Sequence, residues 1–411
     1  MTGAAVRTHP EPDQPQDGRT RLRPGRDDPA GLPPPPRGEI RVLHLCEHFG
    51  NHEASFHGVA RSFELWLPAL SVPPVRVWLC SRATPSDAAL ERYARSGIHP
   101  LSLGYSKLDP RNLFKLLRIC RELKIGILHL HGYGSSTWGR IAARILRIPA
   151  IVHERCNYGT VPWFQRPVER LLAPLTTLAF AVSESTRRFT IEKRYIPAAL
   201  VRTLYSGIPL DAVPPPDPAA SAALRREFSV PDTALLFGIS GRLEPHKGHA
   251  DALRALAAVR DRLPPFRLWI LGDGYHMPAL KTLAADLGLA NLVTFLGYRP
   301  DVWPCIRAFD VQLFPSHREG TPNTLYEALA AGRPVVASTA DGQGEILRPG
   351  RDALLYPPGD VPALSAHLLR ISSDPALRQT LASAALLRAR DFDMSTTIAT
   401  LRQTYLTLAH P

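Results

Sequence analysis

Cysteine is scarce in this sequence and its placement is uninformative for cross-linking. The five residues, Cys46, Cys80, Cys120, Cys156 and Cys305, form no Cys-x-x-Cys pair and are odd in number. That argues against a disulfide framework and a zinc ribbon; thiols in or beside apolar runs predict burial in a reducing cytoplasm. No run of about 18 apolar residues occurs, so no transmembrane helix is expected. The opening MTGAAVRTHPEPDQ lacks the apolar core of a signal peptide, and a cytoplasmic location is expected. Gly272-Asp273-Gly274 lacks a third glycine, which disfavours a dinucleotide fingerprint and with it a nicotinamide oxidoreductase.

What is present is enough for two sizeable cores: 411 residues, 45% hydrophobic and 21% charged. The net charge of +12 is unevenly spread. Residues 40–212 carry 23 basic and 12 acidic side chains, residues 213–411 carry 20 and 19, and residues 1–39 carry six of each. The basic half predicts an anionic partner or an anionic lipid surface, with a solvated arginine-rich surface as the alternative. Residues 1–39, ending in Leu32-Pro33-Pro34-Pro35-Pro36, cannot build a core and are expected to be a disordered tail.

From Ile40 onward, short apolar runs alternate with helical patterns. IRVLHLCEHF, VRVWLCS, IGILHLH, AIVHERCN and LAFAVSEST read as strands, with Ser183 a cap for the helix that follows the last. RNLFKLLRICRELK (Arg111 to Lys124) is an amphipathic helix; packing on a sheet explains it, and membrane docking is the sharper alternative. His129 and His131 face one side at a strand's carboxyl end. They could pair on a metal, but no third ligand of suitable spacing stands out. Pro214-Pro215-Pro216-Asp217-Pro218 is the clearest linker, and a second strand-helix series follows it.

Two loops of that second series carry chemistry. Arg242 and Lys247 flank a turn bounded by Gly241 and Gly248, where two cations could neutralise a diphosphate. FDVQLFPSHREGTPNTLYEALAAGRPVVAS (Phe309 to Ser338) reads as strand, polar turn, helix, strand, with Gly332 as the helix stop. Glu319 and Glu327 stand eight residues apart in it. Between them the amides of Gly320, Thr321, Asn323 and Thr324 open a helix N-terminus that attracts phosphate. One carboxylate binding sugar hydroxyls beside amides binding phosphate would explain the pairing; a dipole-stabilising acid and an ordinary exposed helix glutamate are the plain alternative. Asp341 to Glu345 reads as a mobile loop, and Leu377 to Ala409 as helical.

Glu-x7-Glu followed by EALAAGRPVVAS, together with Gly-Arg-Leu-x-x-x-Lys-Gly at residues 241–248, resembles the donor-binding signatures of glycosyltransferase family 4. Those are retaining, nucleotide-sugar-dependent enzymes of the GT-B fold. Here the first glutamate reads Glu319-Gly320-Thr321-Pro322, and Pro322 removes one amide from the phosphate cradle. His57-Gly58 stands where the family usually has Gly-Gly. The resemblance spans about residues 40–410, more loosely in the first half.

It implies an α/β chain of two doubly wound Rossmann-like domains facing across a cleft. Residues 40–212 would form the acceptor-side domain, residues 213–390 the nucleotide-sugar domain, and a last helix from about 391 to 411 would pack back on the first. It further implies that Arg242 and Lys247 stabilise the diphosphate, that Glu327 holds the ribose and that Glu319 and His131 meet the sugar. Gly58 would let a helix start approach the donor. Gly241, Gly272, Tyr298 and Arg299 would line the nucleotide. No metal and no cofactor are expected beyond the nucleotide sugar as substrate, and no nucleic acid. The acceptor would be a glycan, a lipid-linked or a small molecule of envelope or exopolysaccharide synthesis, met in the cytoplasm or at the inner membrane face. A sugar-nucleotide epimerase and a non-catalytic sugar-nucleotide-binding subunit are the rival readings.

Overall fold

The computed structural model describes residues 38–49, 58–156 and 159–409. The expected tail, apart from Gly38 and Glu39, and residues 50–57, His57 among them, lie outside that set. Thirteen strands form two sheets, parallel throughout. The first holds β1 (Ile40–Cys46), β2 (Val75–Ser81), β3 (Leu101–Ser102), β4 (Ile127–His131), β5 (Ala150–Glu154), β6 (Leu178–Ala181) and β7 (Val201–Thr203). The second holds β8 (Leu235–Ser240), β9 (Phe266–Leu271), β10 (Val293–Gly297), β11 (Val311–Phe314), β12 (Val335–Ser338) and β13 (Ala353–Tyr356). Their apolar runs are continuous rather than alternating because helices cover both faces.

Strand order is β3-β2-β1-β4-β5-β6-β7 in one sheet and β10-β9-β8-β11-β12-β13 in the other. Each sheet is doubly wound, and its order reverses once, between β1 and β4 and between β8 and β11. A crevice opens at the carboxyl ends of strands at such a reversal, and ligands bind there. The core of the second sheet gathers Phe237, Leu253, Leu256, Leu268, Ile270, Leu364 and Leu368. In the first, Ile40, Val42, Trp66, Ile127 and Phe180 pack with Met394, Ile398, Leu401 and Tyr405 of the final helix, Met394–Ala409.

Local signals explain several helix starts. Ser183 accepts the Thr186 amide and caps Glu184–Lys193, and Asp217 caps Pro218–Glu227 just past the proline run. Two expectations need correction. Asp341 to Glu345 is no mobile loop: Gly342–Ile346 is a short helix, held by buried Gln343, whose amide nitrogen donates to the Ser338 carbonyl and hydroxyl. The helical stretch from Leu377 to Ala409 is two helices, Pro375–Arg390 and Met394–Ala409, because the Ile208 carbonyl accepts the Met394 amide at the break.

Candidate active site

The site is built where β8, β9 and β11 end. Backbone packs on backbone there, and the glycines are required. A Cβ on Gly272 (φ +135°) would lie 1.9 Å from the Gly241 carbonyl oxygen, and one on Gly248 (φ +69°) 1.8 Å from that of Pro315. These close approaches fix the turn after β8, and Lys247 leaves it 15% exposed. Its ammonium is paired with the Glu319 carboxylate from the turn after β11. Ser240, Gly241, Lys247, His249, Ser316 and Glu319 line a recess at this point. Arg242 does not converge with Lys247. It is 47% exposed and donates to Glu244 at 2.5 Å.

The helix Asn323–Ala330 opens onto the same recess, with Thr324 donating its hydroxyl to the Ser240 carbonyl at 3.1 Å. Across the cleft the first sheet's elements close on it. Gly320 lies so near Arg155 that a Cβ would come 2.3 Å from the Arg155 carbonyl oxygen, and Gly342 in turn packs on the Gly320 carbonyl and on Thr321. Asp341 bridges the two sides, accepting the Glu319 amide at 3.0 Å and the Ser185 hydroxyl at 2.8 Å. Glu345 accepts the amides of Glu184 and Ser185, at the start of the Glu184–Lys193 helix, at 2.6 and 2.7 Å. A carboxylate at a helix N-terminus is the favourable polarity. Asn323 donates to the Ser62 hydroxyl at 3.4 Å.

Glu327 is buried and meets Arg61 of the helix Gly58–Leu70, Nη2 to Oε1 at 2.9 Å. Its other oxygen, Oε2, is buried without a partner. Burial raises the carboxyl pKa and Arg61 opposes that rise. The carboxylate expected to take ribose hydroxyls is therefore held by a cation of the opposite domain while the cleft is closed. Arg92, paired with Glu64, also donates to the Tyr298 hydroxyl at 2.5 Å. The Arg299 side chain instead lies over the Phe228 ring, 5.4 Å away, and 4.0 Å from Glu227.

His131 sits at the carboxyl end of β4 and is 2% exposed, edge-on to Phe63. It belongs to a cluster of four buried histidines on the first sheet, with His44 (β1), His129 (β4) and His153 (β5). The partner that spacing did not reveal for the His-x-His pair is therefore His44, brought in by the β1–β4 register. Arg61, Arg155, Asp341, Glu345 and His249 carried no functional assignment from the sequence. His249 is buried beside the recess with both ring nitrogens unpartnered, and burial lowers its pKa to about 3. Its position directly after Lys247-Gly248 was its one visible signal.

Two doubly wound domains meeting across a cleft, with the recess at the second sheet's order reversal, define the GT-B architecture. Residues 56–212 match the family described as Glycosyltransferase Family 4, and residues 234–374 match Glycosyl transferases group 1. Over these two segments the chain is similar to glycosyltransferase family 4. It is 25% identical over 73% of its length to the UDP-Gal:alpha-D-GlcNAc-diphosphoundecaprenol alpha-1,3-galactosyltransferase of Escherichia coli, covering 80% of that protein. It is 32% identical to the lipopolysaccharide core biosynthesis glycosyltransferase LpsD of Rhizobium meliloti over 40% of this chain and 47% of that one. HepE of Anabaena in complex with UDP-glucose superposes with a TM-score of 0.77 at 23% identity, over 89% of this chain and 99% of that one.

Proposed function

We propose that this enzyme moves a sugar from a nucleotide-diphosphate sugar to an acceptor with retention of anomeric configuration. The observation that carries the reading is the Lys247–Glu319 pair in the recess, beside the start of the Asn323–Ala330 helix. A cation and helix amides suit the diphosphate, and the carboxylate suits sugar hydroxyls. In this reading Lys247, joined by Arg242 once it leaves Glu244, stabilises the charge that grows on the departing diphosphate. Glu319 then orients the sugar, His131 meets it from the opposite domain, and Glu327 exchanges Arg61 for the ribose. The acceptor hydroxyl attacks the anomeric carbon on the face the diphosphate leaves, the carbon–phosphate-oxygen bond breaks, and the hydroxyl proton passes to the departing phosphate oxygen.

The two cations and the helix start take the role a metal would have, so activity is expected to persist in EDTA. Chelator inhibition reversed by manganese or magnesium would overturn that. Relatives named for diphosphoundecaprenol-linked and lipopolysaccharide substrates support an envelope or exopolysaccharide role and a lipid-linked or anionic acceptor. In that setting the enzyme works in the cytoplasm, at the inner face of the membrane.

The direct test is kinetic. Loss of one charge-assisted contact costs about 1.5–3 kcal/mol, and about 1.4 kcal/mol is already tenfold in rate. Lys247→Ala and Arg242→Ala are each expected to lower turnover at least about tenfold with the fold intact. Near-wild-type turnover in both would sink the assignment.

A further inference from the structure

The four buried histidines of the first sheet are joined in series through a tyrosine of the last helix. His131 Nε2 lies 3.2 Å from His44 Nδ1. His44 Nε2 lies 3.1 Å from the Tyr405 hydroxyl, which lies 2.7 Å from His129 Nδ1. His129 Nε2 lies 3.2 Å from His153 Nδ1. The two ends of the series, His131 Nδ1 and His153 Nε2, are buried without partners. Every internal ring nitrogen is thus committed to one neighbour.

Proton counting limits the states of such a series. A neutral imidazole carries one N–H and one acceptor nitrogen, and a tyrosine hydroxyl donates once while accepting. Four bonds in a row that also use the buried Tyr405 hydroxyl proton are satisfied in two arrangements only. Either all four rings are protonated on Nδ1, or all four on Nε2; a mixture leaves two lone pairs or two protons facing each other, or makes Tyr405 accept from both sides with its own buried proton unbonded. We propose that His44, Tyr405, His129 and His153 are positioning residues that tie the tautomer of His131 to that of the other three rings, so that the position of its proton is set by the series as a whole. In one arrangement His131 Nδ1 offers an N–H, in the other a lone pair. Changing from one to the other releases a proton to water at one end and takes one from water at the other, so the proton count is unchanged.

The surroundings keep the rings neutral, as the series requires. Burial lowers the pKa of all four, His44 to about 3, and the buried Arg155 guanidinium lowers each further. A metal is the other use for such a group, since ring nitrogens of His44, His129 and His131 lie within 4.8 Å of one another. The rings argue against it. His129 and His131 stack with 18° between their planes and centroids 4.6 Å apart, so their in-plane lone pairs run side by side instead of converging.

The inference takes from the proposed function only that His131 meets the donor sugar, and it is tested without donor. In the full-length protein labelled with 15N-histidine, two-bond proton–nitrogen spectra at pH 7 report each ring's tautomer, with assignments from single histidine variants. The expected result is four neutral rings sharing one tautomer. In Tyr405→Phe the series is cut at its middle: His131 still agrees with His44, and His129 with His153, but the two pairs no longer agree with each other. Mixed tautomers in the wild type overturn the inference. So does unbroken agreement of all four in Tyr405→Phe, or one equivalent of zinc whose removal shifts these rings. Failure of the sugar-binding reading is read separately, as unchanged turnover in His131→Ala.

Discussion

At the scale of single residues, burial sets the electrostatics more than pairing does. His44, His129, His131, His153 and His249 all have lowered pKa values, burial being the first cause in each. Below an unfolded pKa of about 6.5 the unfolded chain binds protons on these rings that the native protein does not. Their contribution to stability is therefore complete above that pH and lost as the pH falls, at about 1.4 kcal/mol per pH unit for each ring. Glu154 and Glu327 act in the opposite sense, because burial raises their carboxyl pKa and their penalty is relieved in acid. The histidines outnumber them. Urea unfolding at pH 7.0, 6.0 and 5.5 is expected to show a steep fall in stability with uptake of several protons. An uptake of about one proton or less would contradict the neutral, buried state of the cluster.

At the scale of elements, the turn from Pro315 to Pro322 joins the recess to the opposite domain, and Gly320 is its tightest point. Its φ lies outside the left-handed region, so alanine fits the backbone, but the added Cβ would lie 2.3 Å from the Arg155 carbonyl and 3.2 Å from Val182 Cγ2. Overpacking of this kind costs about 1–3 kcal/mol, here charged to closure of the cleft and not to either sheet. Gly320→Ala is expected to scatter X-rays as a larger particle, with unchanged far-ultraviolet circular dichroism and lowered turnover. A scattering profile identical to wild type would refute this role. The same turn shows how much the sequence could reveal. β8, β11, β12, Lys247 and Glu319 were legible because apolar runs bounded by glycine and proline mark strands, and because short spacings keep loop residues together. β3 and β7, of two and three residues, are too short for a periodic signal. Arg61 with Glu327, and His44 with His131, are paired by sheet winding and cleft closure, which leave no trace in local spacing.

At the scale of the whole molecule, the charge imbalance acquires a location. The helix Tyr133–Leu146 packs on the first sheet, and Arg111–Glu122 and Arg166–Leu172 pack against that helix. Large apolar side chains stand exposed around them: Phe114, Leu171 at 76% and Trp163 at 79%, with Phe164 alongside Trp163. Arg111, Arg118, Arg166 and Arg170 belong to the same helices, the first two paired with Asp109 and Glu122, and Lys107 lies just before the first of them. Exposed aromatic residues beside basic ones suit the headgroup region of an anionic bilayer, and no helix among the described residues is long and apolar enough to cross one. The basic excess is hard to assign to the donor, whose expected cations, Arg242 and Lys247, lie in the other domain. Flotation with anionic vesicles at low salt is therefore expected to carry the protein, and neutral vesicles to carry little. Charge attraction is screened beyond about 8–10 Å at physiological salt. Raising the salt should weaken flotation more than it weakens donor binding in the closed cleft. Trp163→Ala with Phe164→Ala should reduce flotation at low salt as well, because it removes the apolar anchor and leaves the charge. Equal, negligible flotation with both vesicle types would detach the basic face from any membrane role and favour an acceptor met in free solution.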